Sequence, residues 1–103
     1  MKNTIFTGMA TALVTPMTTD GSIDYEAFAR FIEFQIANGI DALVVMGTTG
    51  ENATIEPEDQ TKVIRFTVEK VAGRVPVIAG TGTNNTEHVL HNTRNACRAG
   101  ADA

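Results

Sequence analysis

Three apolar runs alternate along the chain with three stretches whose apolar residues recur every three or four positions. The first run, Met9 to Val14, is partly β-branched and ends at Thr15-Pro16. It predicts a strand, and Thr18-Thr19-Asp20-Gly21-Ser22 after it predicts a loop. From Tyr25 to Ala37, Phe28, Phe31, Ile32 and Ile36 fall at helical spacing. Asp24 offers the N-cap, and Asn38-Gly39 offers the left-handed exit. The second run, Ala42-Leu43-Val44-Val45-Met46, is continuously apolar, the pattern of a strand buried on both faces of a parallel sheet. Pro57 marks the first turn of a second helix, lined by Val63, Ile64, Val68 and Val71 and ended by Gly73. Val75-Pro76-Val77-Ile78-Ala79 predicts the third strand. Thr86 is placed to cap a third helix carrying Val89, Leu90, Ala96 and Cys97, with Gly100 at its end. Phe34, on the first helix, is a candidate for contact with a neighbouring helix.

The order is strand, helix, repeated three times at roughly 33 residues per unit, a βα repeat. Sequential parallel strands with right-handed crossovers build either an open doubly wound sheet or a barrel, and periodicity does not choose between them. Ala37-Asn38-Gly39-Ile40-Asp41-Ala42 ends the first helix and leads into the second strand. Arg98-Ala99-Gly100-Ala101-Asp102-Ala103 ends the third helix in the same pattern. The expectation is therefore that further residues follow Ala103. Residues 1–103 are then the truncated amino-terminal part of one larger domain. Three parallel strands leave two open edges and an uncovered inner face, so residues 1–103 alone are expected to be weakly stable or to need a partner.

With 43% hydrophobic and 19% charged residues the chain reads as globular. A net charge of -4, scattered along the sequence, argues against a nucleic-acid or anionic-membrane partner. No apolar run is long enough to span a bilayer, and Met1-Lys2-Asn3-Thr4-Ile5-Phe6 has no apolar signal-peptide core. Cys97 is the single cysteine and reads as structural filler. A cytoplasmic location is the expectation.

The chemistry concentrates at Gly47-Thr48-Thr49-Gly50-Glu51, directly after the second strand. In βα folds the carboxyl ends of the strands are where ligands bind. Glycines allow a tight turn, and consecutive N–H groups with two hydroxyls suit a small carboxylate or phosphate. A turn that only closes a βα unit would also carry the glycines, but it has no use for two adjacent hydroxyls. Glu51 reads as a carboxylate accepting loop N–H groups rather than as a base. Gly80-Thr81-Gly82-Thr83-Asn84-Asn85 lacks the third glycine of a dinucleotide fingerprint and reads as a second turn on the same face. His88 and His91 have no further ligands at metal-binding spacing and read as a solvent-facing pair, so no metal is expected. Lys2, Lys62 and Lys70 lack the desolvated pocket that a nucleophilic lysine needs.

Phe6-Thr7-Gly8, Ala12-Leu13-Val14-Thr15-Pro16-Met17, Gly47-Thr48-Thr49-Gly50-Glu51-Asn52-Ala53-Thr54 and Val75 through Thr86 resemble, in order and spacing, the 4-hydroxy-tetrahydrodipicolinate synthases. These belong to the pyruvate-dependent Schiff-base aldolases. The double threonine leans toward the synthases; the related N-acetylneuraminate lyases tend to carry serine where Thr48 stands. The resemblance implies an α/β fold, the amino-terminal (βα)3 portion of a TIM (β/α)8 barrel, in a protein that is usually a homotetramer. It implies pyruvate and aspartate 4-semialdehyde as substrates. It implies no separate cofactor, because pyruvate forms a covalent Schiff base with a lysine that would lie beyond Ala103. By the same resemblance Thr49 holds the pyruvate carboxylate with the backbone of Gly47 and Gly50, and Thr48 belongs to a proton relay. Asn84 matches one residue of the inter-subunit site at which some synthases bind lysine. Pro57, Gln60 and His88 stand where lysine-sensitive members often have histidine, histidine and glutamate, so feedback inhibition is not expected.

Two readings of other classes compete. A small anion-binding module, complete as it stands, predicts a stable monomer with saturable pyruvate or phosphate binding. A non-catalytic assembly piece predicts pairing of the open sheet with another chain.

Overall fold

The computed structural model describes residues 3–103; Met1 and Lys2, and with them the reading of Lys2, lie outside the described residues. Three strands, β1 (Ala10–Ala12), β2 (Ala42–Val45) and β3 (Val77–Ala79), form a parallel sheet in the order β1-β2-β3. Helices α1 (Tyr25–Ala37), α2 (Pro57–Val71) and α3 (Thr86–Ala99) follow them in turn. The expected βα repeat is therefore present.

Capping sets the helix ends. The Asp24 side chain accepts the N–H of Ala27, and Pro57 opens α2. At α3 the cap is Asn85 rather than Thr86: its side-chain oxygen accepts the N–H groups of Glu87 and His88, and Thr86 is the first helical residue. An amide oxygen one residue earlier reaches two of the free donors of the first turn.

The strands are shorter than their apolar runs. Met46 leaves the β2 ladder by turning to φ 57. Pro76 has no N–H to give, although its carbonyl still accepts from Leu43. Leu13 continues the pairing with a bond to Val44, yet the β1 ladder itself ends at Ala12.

Alternation across the sheet divides its two faces. The row Thr11, Leu43, Val77 turns toward the helices, where Thr11 Oγ1 donates to Gln35 on α1. Phe28, Ile32, Leu43, Val45, Val63, Val71 and Val77 build the core there. Burying one such side chain contributes about 1.5–3 kcal/mol. Phe66 joins α1 to α2, edge-on to Tyr25 and stacked on Phe28. The alternate row, Ala12, Val44 and Ile78, carries no helix and is exposed or half-buried, as the uncovered inner face of three barrel strands would be.

Helix α3 differs from its expected stripe. It packs through Ala96 and Ala99, while Leu90 is 54% exposed and Cys97 is exposed. Cys97 is therefore not core filler. Small residues let α3 approach α2 closely, so the long side chains are turned outward. Phe34 is exposed as well, with no neighbouring helix covering it among the described residues.

The repeated segments 37–42 and 98–103 have a structural counterpart. Asp41 N–H donates to the Met9 carbonyl while the Asp41 carboxylate accepts the Met9 N–H at 2.8 Å. Asp102 makes the same pair with Val77, so residues 102–103 run parallel to the outer edge of β3.

Candidate functional site

The three strands end together; Thr15 bonds the turn after β1 to the turn after β2, and Gly80 N–H, just after β3, donates to the Val45 carbonyl of β2. After β2, Gly50 N–H donates to Gly47 O, Glu51 N–H to Thr48 O and Asn52 N–H to Gly47 O. These bonds use the donors of residues 50–52. Among the described residues, the N–H groups of Thr48 and Thr49 fall outside this pattern, and both threonines are exposed. Two adjacent amides and two hydroxyls at a strand's carboxyl end are the groups that a small anion would need there.

The backbone beneath the turn is strained. Met46 and Glu51, at its two ends, both have φ in the left-handed region, 57 and 63. Such residues cost about 1–3 kcal/mol and persist only when their surroundings hold them. Met46 is held by complete burial of its side chain and by Asn52 Nδ2, which donates to its carbonyl at 3.0 Å. Gln60 on α2 holds Asn52 in turn, donating to the carbonyls of Asn52 and Ile55. From the loop after β1, buried Thr15 donates its hydroxyl to Gly50 O at 2.7 Å.

One glycine is required by close approach, and a second is favoured by it. A Cβ on Gly80 would lie 2.3 Å from Met46 O and 2.7 Å from Gly47 Cα, so only glycine lets β3 pass the end of β2. A Cβ on Gly50 would meet Thr15 Oγ1 at 3.2 Å and Met46 N at 3.3 Å.

Gly47, Thr48, Thr49 and Gly50 are thus brought together in one turn. Glu51 acts differently from its expected role. Its side chain makes no capping bond; its backbone carbonyl accepts the N–H and the hydroxyl of Thr54. Thr15, Asn52 and Gln60 were not singled out from the sequence as supports of this turn. The polar residues of the Asn52-Ala53-Thr54 segment and Thr15-Pro16 were its only local signals.

Asn84 lies elsewhere, in an open groove of about 740 Å³ beside the site. Pro57, Gln60, His88 and His91 also line it, so the positions weighed with Asn84 share one surface. His88 and His91 are both exposed there. Lys62 and Lys70 sit on α2, where Lys62 pairs with Asp59 and Lys70 with Glu33, away from the turn.

The sequence profile of the dihydrodipicolinate synthetase family matches residues 5–103. The chain belongs to the dihydrodipicolinate synthetase family. It is 52% identical over 99 residues to the 4-hydroxy-tetrahydrodipicolinate synthase of Thioalkalivibrio sulfidiphilus, covering 96% of this chain and 34% of that protein. It is 45% identical over 102 residues to the synthase of Gluconacetobacter diazotrophicus, covering 99% of this chain and 34% of that protein. Among solved structures it resembles the chloride-inhibited dihydrodipicolinate synthase of Acinetobacter baumannii complexed with pyruvate. That match has TM-score 0.93 and 39% identity, and covers 96% of this chain and 34% of the other. The chain thus spans about a third of the length of the relatives it matches. Its fold is the amino-terminal (βα)3 portion of the family's TIM barrel. Among the described residues, no helix is long and apolar enough to cross a membrane.

Proposed function

We propose that residues 1–103 are the first part of a 4-hydroxy-tetrahydrodipicolinate synthase, a lyase that condenses pyruvate with aspartate 4-semialdehyde. The observation that carries this reading is the Thr48-Thr49 turn at the carboxyl end of β2. Its two amides are outside the turn's own bonds, and its geometry is held by Thr15, Asn52 and Gly80. The family relationship and the pyruvate complex of the Acinetobacter baumannii relative support it.

In this reading the amides of the turn and the Thr49 hydroxyl hold the pyruvate carboxylate, with Gly47 and Gly50 allowing the backbone to approach it. The pyruvate ketone condenses with a lysine amine on a later strand, releasing water. Loss of a methyl proton gives an enamine, whose carbon attacks the aldehyde of the second substrate. Thr48 passes protons through its hydroxyl, which can donate and accept without carrying charge. The barrel is completed by residues outside this chain, and residues 1–103 alone are inactive. The whole protein works in the cytoplasm as a homotetramer.

Asn84 is read as one residue of an effector groove. His88 offers a bound lysine no carboxylate where lysine-sensitive relatives carry glutamate, so feedback inhibition by lysine is not expected.

The test is turnover of pyruvate with aspartate 4-semialdehyde by the full-length protein that carries this segment, alongside Thr49→Val. The expected result is synthase activity, with the pyruvate KM of the variant raised about tenfold. Aldol cleavage of N-acetylneuraminate without synthase activity would overturn the assignment.

A further inference from the structure

Thr15 belongs to the loop after β1, outside the double-threonine motif, yet it is tied to the turn that the motif occupies. Its hydroxyl donates to Gly50 O at 2.7 Å, across 35 positions of sequence, and both residues are buried. Gly50 directly follows Thr49. The peptide that Thr15 holds is the one leading into Glu51, whose φ of 63 is unfavourable for a residue with a Cβ. A bond to that carbonyl fixes the peptide plane in the strained arrangement. Without it, the 50–51 peptide is held only by the Glu51 N–H bond to Thr48 O, and it can relax toward an unstrained conformation and carry Thr49 with it. Close packing reinforces the contact, since a Cβ on Gly50 would lie only 3.2–3.3 Å from Thr15 Oγ1, Leu13 O and Met46 N.

We infer that Thr15 is a positioning residue for the carboxylate cradle: through Gly50 it sets the direction of the Thr48 and Thr49 amides, and thereby the affinity for a small 2-oxo acid. This inference rests on the reading of the turn as the pyruvate carboxylate site. Thr15 touches no substrate in it. Its loss is expressed in pyruvate binding, while the second substrate, held elsewhere, is unaffected.

The experiment compares wild type, Thr15→Ser and Thr15→Val in the full-length protein. It follows thermal melting, the KM of each substrate, and trapping of pyruvate by borohydride. Valine keeps the volume and removes the donor; serine keeps the donor and removes a methyl group. The expected result is a pyruvate KM raised about tenfold in Thr15→Val, an aldehyde KM within about twofold of wild type, and a pyruvate KM restored in Thr15→Ser. An unchanged pyruvate KM in folded Thr15→Val overturns the positioning role alone. If Thr15→Val shows no cooperative melt, Thr15→Cys replaces it, with similar volume and a weaker donor. Wild-type pyruvate affinity in Thr15→Cys then overturns the role, and a raised KM supports it. Wild-type protein that traps no pyruvate sinks the reading of the site and this inference with it.

Discussion

Asp102 holds Val77 from both sides of one peptide pairing: its N–H donates to the Val77 carbonyl at 2.8 Å, and its carboxylate accepts the Val77 N–H at 2.9 Å. Asp41 does the same to Met9. In each case an aspartate beside a strand supplies an acceptor for an amide at or just before that strand's first residue. Gly8 belongs to the same device, because its φ of 112 and missing Cβ leave room for the Asp41 carboxylate.

Replacing Asp41 by alanine is expected to remove about 1 kcal/mol of stability, and Asp41→Asn less, since its amide oxygen still accepts. Urea titration of the full-length protein reads both. Equal midpoints for wild type and Asp41→Ala would refute the role given to this carboxylate.

Gly80→Ala places a Cβ inside the contact distance of Met46 and Gly47 backbone atoms, which have no flexible end to move. The variant is expected to lose about 2–4 kcal/mol of stability. Where it still folds, its pyruvate KM rises, because the displaced atoms carry the Thr48-Thr49 turn. A melt and a pyruvate KM both equal to wild type would show that the close approach is not maintained.

Ala72 ends α2 with φ 51, in the left-handed region, and is exposed. Glycine there relieves the steric cost of the Cβ without opening a cavity. Ala72→Gly is expected to stabilise the protein by about 0.5–1 kcal/mol. A lowered melting temperature would count against the strained C-cap.

Glu33 on α1 is gripped by Arg74, which donates from Nη1 and Nη2 at 3.0 and 2.7 Å, with Lys70 at 3.4 Å. The hydrogen bonds from Arg74 chiefly, and its charge with that of Lys70, lower the Glu33 pKa from 4.5 to about 2 against some desolvation. A carboxylate whose folded pKa is depressed stabilises the fold above its unfolded value and loses that contribution as the pH falls toward the folded one. The pairing is therefore complete above about pH 4.5 and lost progressively toward pH 2. Glu33→Gln should flatten that part of the stability profile, and salt should weaken the wild-type effect because the pair is solvent-exposed. Identical acid profiles for wild type and Glu33→Gln would remove the pair from the account.

Helix α1 was legible to the residue, because its cap, its apolar spacing and its glycine exit all lie within the segment itself. The Thr48-Thr49 turn was legible for the same reason. Its supports were not: Thr15 and Gly50 meet across 35 positions, and Gln60 reaches Asn52 from another element. Pairs of that kind follow from the packing of α2 and the adjacency of β1 and β2. In α3, hydropathy favoured Leu90 and Cys97, but the helix packs through Ala96 and Ala99. Distance between helices decided there, and hydropathy carries no distance.

The most direct measurement is the intact mass of the full-length protein after borohydride reduction with pyruvate, made on wild type and Thr49→Val across a pyruvate titration. The account predicts one reduced pyruvate per chain in both, with the variant needing about tenfold more pyruvate for half-trapping. A wild-type mass unchanged at saturating pyruvate, or identical titrations for the two proteins, would contradict it.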